Sequence, residues 1–274
     1  MVIALGVAAN GQPTTEALDT EDAMYDYNRT SRRPHREFGV FSVRDQLDTH
    51  DDAFFEDRAD AGRRLADRLR PLATLPELIV LGLPRGGVPV ASEVAEALGV
   101  PLDTFVVRKL GVPGHEELAM GAIASGGVRI INWPIVRQLN VPAEAIERAA
   151  QAERIELERR DRAYRGERLM PDLRGRSIIV VDDGLATGAS MSAAVAALRE
   201  HLPALVIAAV PVGSREACAL LQQQADACIC VTTPEPFRGV GQWYGDFSQT
   251  TDDEVRALLD RAALREERRS AERG

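Results

Sequence analysis

Residues 178–191 read IIVVDDGLATGASM: an apolar run ends in two adjacent acids, followed by small residues and hydroxyls. Gly184, Ala186, Gly188 and Ala189 leave room for backbone N–H groups to approach an anion closely. Thr187 and Ser190 add hydroxyl donors, and a helix starting there adds the positive end of its dipole. The segment suits a phosphate monoester. A triphosphate loop of the GxxxxGK[ST] kind would need a lysine, and none is present here. Asp182 and Asp183 would repel a phosphate unless they held donors, and vicinal sugar hydroxyls are such donors. Successive strand residues point to opposite faces, but the chain turns at this point, so both carboxylates can face one ligand. The plainer reading is that the acids only cap a helix.

Three further segments carry chemistry. Leu83-Pro84-Arg85-Gly86-Gly87-Val88-Pro89 combines a guanidinium with two glycines that permit close backbone approach to an anion, although alone it is also an ordinary strand-to-helix turn. Arg108-Lys109 holds the only lysine among 33 basic residues and opens a glycine-bearing stretch running to Gly127. His115, Glu116 and Glu117 lie on that stretch and read as solvated loop rather than proton carriers. Four of the thirteen aromatic residues fall between Phe237 and Phe247, which points either to a stacking platform or to a small aromatic core under a loop.

These segments need elements to position them. EDRADAGRRLADRLR places Ala61, Leu65 and Leu69 at helical spacing. LIVLGL (78–83), DTFVV (103–107), VRIIN (128–132), SIIVVDD (177–183), LVIAAVPV (205–212) and ACICVTTP (227–234) read as strands. Helices are expected over PVASEVAEALG, closed by Gly99, over 142–164, over MSAAVAALREHL, and over DDEVRALLDRAAL behind a Thr251/Glu254 capping box. In the 142–164 helix, Glu144/Arg148, Glu156/Arg160 and Glu158/Arg162 stand acid-first at i,i+4, as on a solvated face. Strands alternating with helices imply an α/β fold: a doubly wound, mostly parallel sheet flanked by helices, with its site at the strands' carboxyl ends. Residues 1–50 show no sustained period and read as a mobile tail, with a short strand or docking segment near Phe38–Val43. Residues 51–274 read as one domain, with a hood segment about 232–250.

The 178–191 segment closely resembles the ribose-5-phosphate motif of type I phosphoribosyltransferases: a strand, two acids, then an ATGxS/T loop. The resemblance spans about residues 54–260 and points to a bacterial group of unassigned acceptor. It implies that Asp182 and Asp183 hold the ribose hydroxyls of phosphoribosyl pyrophosphate. Ala186, Thr187, Gly188, Ala189 and Ser190 would wrap the 5′-phosphate. Arg85, Gly86, Gly87, Arg108 and Lys109 would meet pyrophosphate, with Arg85 and Lys109 supporting catalysis and the stretch 109–127 closing over the site. The family also implies a cis or distorted peptide between Pro84 and Arg85 when ligand is bound. By analogy with its purine enzymes, Phe237, Trp243 and Tyr244 are candidates for acceptor stacking. Asp246 is a candidate for a Mg²⁺ held otherwise by the ligand. Oxopurine enzymes usually carry an Asp where this chain has Ala186, which argues against a simple hypoxanthine or guanine enzyme.

Composition narrows the alternatives. A net charge of −9 disfavours a broad face for duplex nucleic acid. No apolar run approaches the ~20 residues of a membrane span. The opening MVIALGVAA lacks a basic start, so a secretory leader is not expected and the protein is expected in the cytoplasm. Cys218, Cys228 and Cys230 suit neither a disulfide framework nor a zinc signature. The expected activity is Mg²⁺-dependent transfer of ribose 5-phosphate to a nitrogen nucleophile with release of pyrophosphate. A non-catalytic regulator that binds phosphoribosyl pyrophosphate is the alternative, and a homo-oligomer is compatible with either. A flavodoxin-like nucleotide binder leaves the paired aspartates unexplained.

Overall fold

The computed structural model describes residues 54–273, together with a two-residue antiparallel pair, Gly6–Val7 and Pro13–Thr14. The expected segment at Phe38–Val43 lies outside the described residues. From residue 54 the chain runs α1 (Arg58–Leu69), β1 (Leu78–Gly82), α2 (Gly87–Leu98), β2 (Leu102–Thr104), β3 (Val107–Val112), β4 (His115–Ala124) and β5 (Val128–Ile131). It continues through α3 (Trp133–Gln138), α4 (Ala143–Arg165), β6 (Ser177–Val181), α5 (Ala189–Glu200), β7 (Leu205–Val212), α6 (Arg215–Gln224), β8 (Ala227–Thr232) and α7 (Asp252–Arg273).

Five strands form an all-parallel sheet in the order β8-β7-β6-β1-β2. Every residue of β1 and β6 is buried, as expected for central parallel strands covered on both faces. One face packs against α5 and α6 through Ile79, Leu81, Ile178, Val180, Met191, Val195 and Leu221. The other packs against α1 and α2 through Leu65, Leu69, Val80, Val90, Val94, Ile179 and Val181. Each such fully buried aliphatic side chain contributes about 1.5–3 kcal/mol, offset by the entropy of ordering the chain. The three cysteines are free and buried.

The sheet order changes direction at β1: the chain steps to β2 on one side, while β6 pairs on the other. Gly82 is in register with Val181, and the Leu83 N–H donates to the Val181 carbonyl at 2.8 Å. The loops after β1 and β6 therefore leave the sheet side by side at its switch point, where open α/β sheets bind their ligands.

The expected single strand at 103–107 is divided between two sheets. Phe105 still donates its N–H to Gly82 of the main sheet, whereas the Val106 N–H is taken by Ser125 Oγ. Beyond that point β3, β4 and β5 make a small antiparallel sheet. The stretch expected to be a loop from 109 to 127 is thus largely a hairpin, with register irregularities at Leu110–Gly111 and Gly111–Val112. Residues 232–250, the expected hood segment, contain a short 3₁₀ turn, Val240–Trp243, and an isolated parallel bridge from Tyr244 to Phe55 beyond the end of β8.

Helix α4 is less of a solvated face than its charge pattern suggests. Glu156–Arg160 forms at 2.8 Å, but among the described residues Glu144–Arg148 and Glu158–Arg162 do not pair. Other α4 charges reach across to the sheets instead: Glu147 to Arg129, Glu153 to Arg108, and buried Arg165 to Asp103. Helix α7 opens with the expected capping box, in which Glu254 N–H donates to Thr251 Oγ1 and Thr251 N–H donates to Glu254 Oε2.

Candidate active site

The loop after β6 leads directly into α5. Gly188 adopts φ +74° at the N-cap of α5, a left-handed conformation that favours glycine. Ala186, Thr187, Ala189 and Ser190 around it are exposed. Ser214, the N-cap of α6, steadies the loop from behind by donating its hydroxyl to the Ala186 carbonyl at 2.9 Å. The five residues expected to wrap a phosphate form an open loop at the N-terminus of a twelve-residue helix, a geometry that suits an anion.

Gly86 and Gly87 pack directly against the two aspartates. A Cβ on Gly86 would lie 2.0 Å from Asp183 Oδ2, and one on Gly87 would lie 3.1 Å from Asp182 Oδ1. Only glycine lets the two loops close on each other here. The Pro84–Arg85 peptide is cis. Asp182 Oδ1 accepts the Asp183 N–H at 2.9 Å. Burial, reinforced by the neighbouring Asp183 charge, holds Asp182 well above the usual carboxylate range. Burial also raises Asp183, against the opposing pull of Arg58.

Arg58, at the start of α1, is the feature that sequence reasoning missed. Its Nε and Nη2 both lie 2.9 Å from Asp183 Oδ2, its Nη1 donates to the Ser248 carbonyl at 2.7 Å, and its guanidinium stands 4.1 Å over the Phe247 ring. The partners are 125 residues apart, and no local pattern signals the contact.

The two basic positions on β3 point to opposite faces, as strand geometry requires. Lys109 is half-exposed, 3.8 Å from Glu117 on the neighbouring strand. Arg108 donates to Glu153 of α4 at 2.6 Å, on the side where Leu110 and Val112 pack with Ile146 and Leu157. The strand's alternation turns Arg108, expected to meet pyrophosphate, toward Glu153 of α4 in this structure. Arg85 extends toward the start of α7, 3.9 Å from Asp252. Asp252 also accepts the Tyr164 hydroxyl at 2.9 Å, and burial with this carboxylate pushes Tyr164 up to about 12.

The aromatic segment divides. Tyr244 is 5% exposed and donates its hydroxyl to the Asp183 carbonyl at 2.6 Å. Its ring, a candidate for acceptor stacking, is covered by Phe55 and Phe247 at centroid distances of 5.4 and 5.0 Å, and its hydroxyl braces the backbone of the acidic pair. Phe237 and Trp243 pack against the α1–α2 side of the core. Asp246 is exposed, and its carboxylate accepts the Ser248 N–H at 2.8 Å, which lowers its pKa. Among the described residues no group of three or more His, Cys, Asp or Glu could hold a metal ion.

A family profile, the phosphoribosyl transferase domain, matches residues 54–242, which includes both loops and the acidic pair. The chain belongs to the phosphoribosyl transferase domain family. Two Mycobacterium tuberculosis proteins, from strains CDC 1551 and H37Rv and each named "Putative phosphoribosyl transferase", are 50% identical over 208 residues, 76% of this chain. This chain spans 47% of their length. The crystal structure of TT1426 from Thermus thermophilus is 42% identical, with a TM-score of 0.69 over 75% of this chain and 97% of that one. In this phosphoribosyl transferase domain the acidic pair and the two loops lie at the carboxyl ends of the five-stranded parallel sheet, which is accompanied by the small antiparallel sheet. No described helix is long and apolar enough to cross a membrane.

Proposed function

We propose that this domain binds phosphoribosyl pyrophosphate and transfers its ribose 5-phosphate to a nitrogen nucleophile, releasing pyrophosphate. The observation that supports this reading is the closure of Gly86 and Gly87 onto Asp183 and Asp182, which brings the two-glycine loop against the acidic pair that leads into the loop at the start of α5. A molecule with a 5-phosphate, vicinal hydroxyls and a pyrophosphate at C1 matches all three. The 5′-phosphate takes the amides and hydroxyls of Ala186–Ser190. The ribose hydroxyls donate to Asp182 and Asp183. The Gly86 and Gly87 segment and Arg85 receive the pyrophosphate.

In the reaction the C1–O bond breaks, with its electron pair leaving on pyrophosphate, and the acceptor nitrogen's lone pair forms the new C1–N bond. The nitrogen then loses a proton to solvent or to a base on the acceptor side. Positive charge develops at C1 while negative charge grows on the leaving group, so Arg85 and Lys109 contribute most as the bond breaks. The donor set fits Mg²⁺ as an ion carried mainly by the ligand's own oxygens, with exposed Asp246 as the candidate protein contact. There it would neutralise diphosphate charge. The hairpin β3–β4, which bears Lys109, is the element proposed to exclude water from C1.

The test is pyrophosphate release from phosphoribosyl pyrophosphate with Mg²⁺ across a panel of nucleobases and amines. Release that depends on one acceptor supports the transferase. Saturable binding with no turnover on any acceptor overturns catalysis and supports the regulator.

A further inference from the structure

The ion pair between Arg58 and Asp183 is built more tightly than a surface contact. The two side chains are 13% and 16% exposed, and both Nε and Nη2 of the guanidinium converge on the single oxygen Oδ2. Nη1 is spent on the Ser248 carbonyl and one face of the group on Phe247, so the fork is fixed in several directions at once. Asp57 caps α1 with its side chain accepting the Asp60 N–H at 2.8 Å, which fixes the helix start from which Arg58 projects. Oδ2 also faces Gly86, whose Cβ position would lie 2.0 Å from it and 3.2 Å from Arg58 Nε. The backbone of Asp183 is tied down by the Tyr244 hydroxyl. Nε and Nη2 of the guanidinium thus both meet Oδ2 and neither is placed on Oδ1.

We propose that Arg58 is a positioning residue of the sugar site: it pins Asp183 by Oδ2 against Gly86 and leaves Oδ1 turned toward the ligand as the acceptor for a ribose hydroxyl. This proposal rests on the ribose-binding reading given above. The charges supply the physical reason. Asp182 and Asp183 are adjacent and shielded from water, an arrangement in which two carboxylates resist ionising together. Only an ionised carboxylate offers its full set of acceptors to a hydroxyl. The groups facing Asp183 are Asp182 on its own loop, Arg58 from α1 and the neutral Tyr244 hydroxyl from the aromatic segment. Asp246 and Glu254 feel the Arg58 charge, which lowers both, and neither acts on Asp183. Arg58 is therefore the positive charge that keeps the pair competent. A lysine in its place supplies charge without the planar fork that holds one oxygen and frees the other.

The experiment titrates phosphoribosyl pyrophosphate with Mg²⁺ into unaltered protein, Arg58→Gln and Arg58→Lys by calorimetry, from about pH 5 to 8. R58Q is expected to bind at least about tenfold more weakly at neutral pH. The midpoint below which binding fades should rise by about one pH unit or more, because removing a cation raises the pair. R58K should restore the midpoint but not the full affinity. Unchanged affinity and midpoint in R58Q, or weakening that is equal at every pH, overturns the proposal. If R58Q does not fold, R58K alone carries the test, because it keeps the charge and removes the fork that holds Oδ2. Full affinity in R58K then overturns the proposal equally. No binding by the unaltered protein overturns the ribose reading and this proposal together, whereas normal binding with an unresponsive R58Q overturns this proposal alone.

Discussion

Adding one methyl group at Gly86 tests the convergence of the two loops. Gly86 has φ −61° and ψ −31°, which any residue adopts, so Gly86→Ala changes contacts without straining the backbone. The new Cβ would lie 2.0 Å from Asp183 Oδ2, 2.7 Å from its Cγ and 3.2 Å from Arg58 Nε. Relief requires the Asp183 carboxylate to rotate, and rotation breaks its charge-assisted bonds to Arg58. Hydrogen bonds to charged groups contribute about 1.5–3 kcal/mol. Affinity for phosphoribosyl pyrophosphate should therefore fall roughly ten- to hundredfold. Gly239→Ala is the matched control, because a Cβ there meets nothing within 4 Å. Calorimetric titration with Mg²⁺ and the pyrophosphate ligand, with thermal melts of each variant, measures both effects. G86A should remain folded, with its melting temperature lower by only a few degrees, on the order of 2–4 °C per kcal/mol. A G86A protein that binds as tightly as G239A would refute the argument that these loops form one site.

Asp182→Asn/Asp183→Asn should abolish saturable binding while circular dichroism stays unchanged; retained affinity would remove the sugar assignment. Because both carboxylates are raised, binding by the unaltered protein should fade as the pH falls through a range above that of ordinary carboxylates, visible as a pH-dependent dissociation constant. Lys109→Ala should lower kcat more than it weakens ground-state binding, whereas Arg108→Ala should leave both within a few-fold, since its partner is Glu153; steady-state kinetics with direct binding separates the two, and equal losses in both variants would contradict the strand's facing. Arg165→Met should cost about 3–5 kcal/mol at neutral pH by stranding Asp103 and Asp161 without their buried partner. Burial already raises Asp103, so the folded form gains protons, and the deficit should shrink on acidification; urea unfolding at two pH values checks it, and a deficit that grows toward acid would reverse the sign.

Contiguous residues were enough to specify the main-sheet strands and the chemistry that one short segment can carry, but not the β3–β4 hairpin or α6. Apolar runs such as Leu78–Gly82 and Leu205–Val212 are continuous because both faces of a central parallel strand are covered, and that is visible without coordinates. The acidic pair and the cradle at Ala186–Ser190 were legible for the same reason: one strand end, one turn and one helix start hold them all. What the sequence left open depends on which way a side chain turns and which distant segment lies against it. Arg108 and Lys109 are neighbours in the chain, yet strand alternation sends them to opposite faces, and only the packing of α4 shows which is which. Whether Tyr244 belonged to a stacking platform or to a small core under a loop stayed open, because aromatic clustering carries no information about burial. Arg58 gave no signal at all, because its meaning is a contact made 125 residues away through the closure of α1 and the aromatic segment onto the sheet. Local order follows from local composition, but the charge and orientation of a site are set by non-local packing, and a single chain's spacing does not encode them.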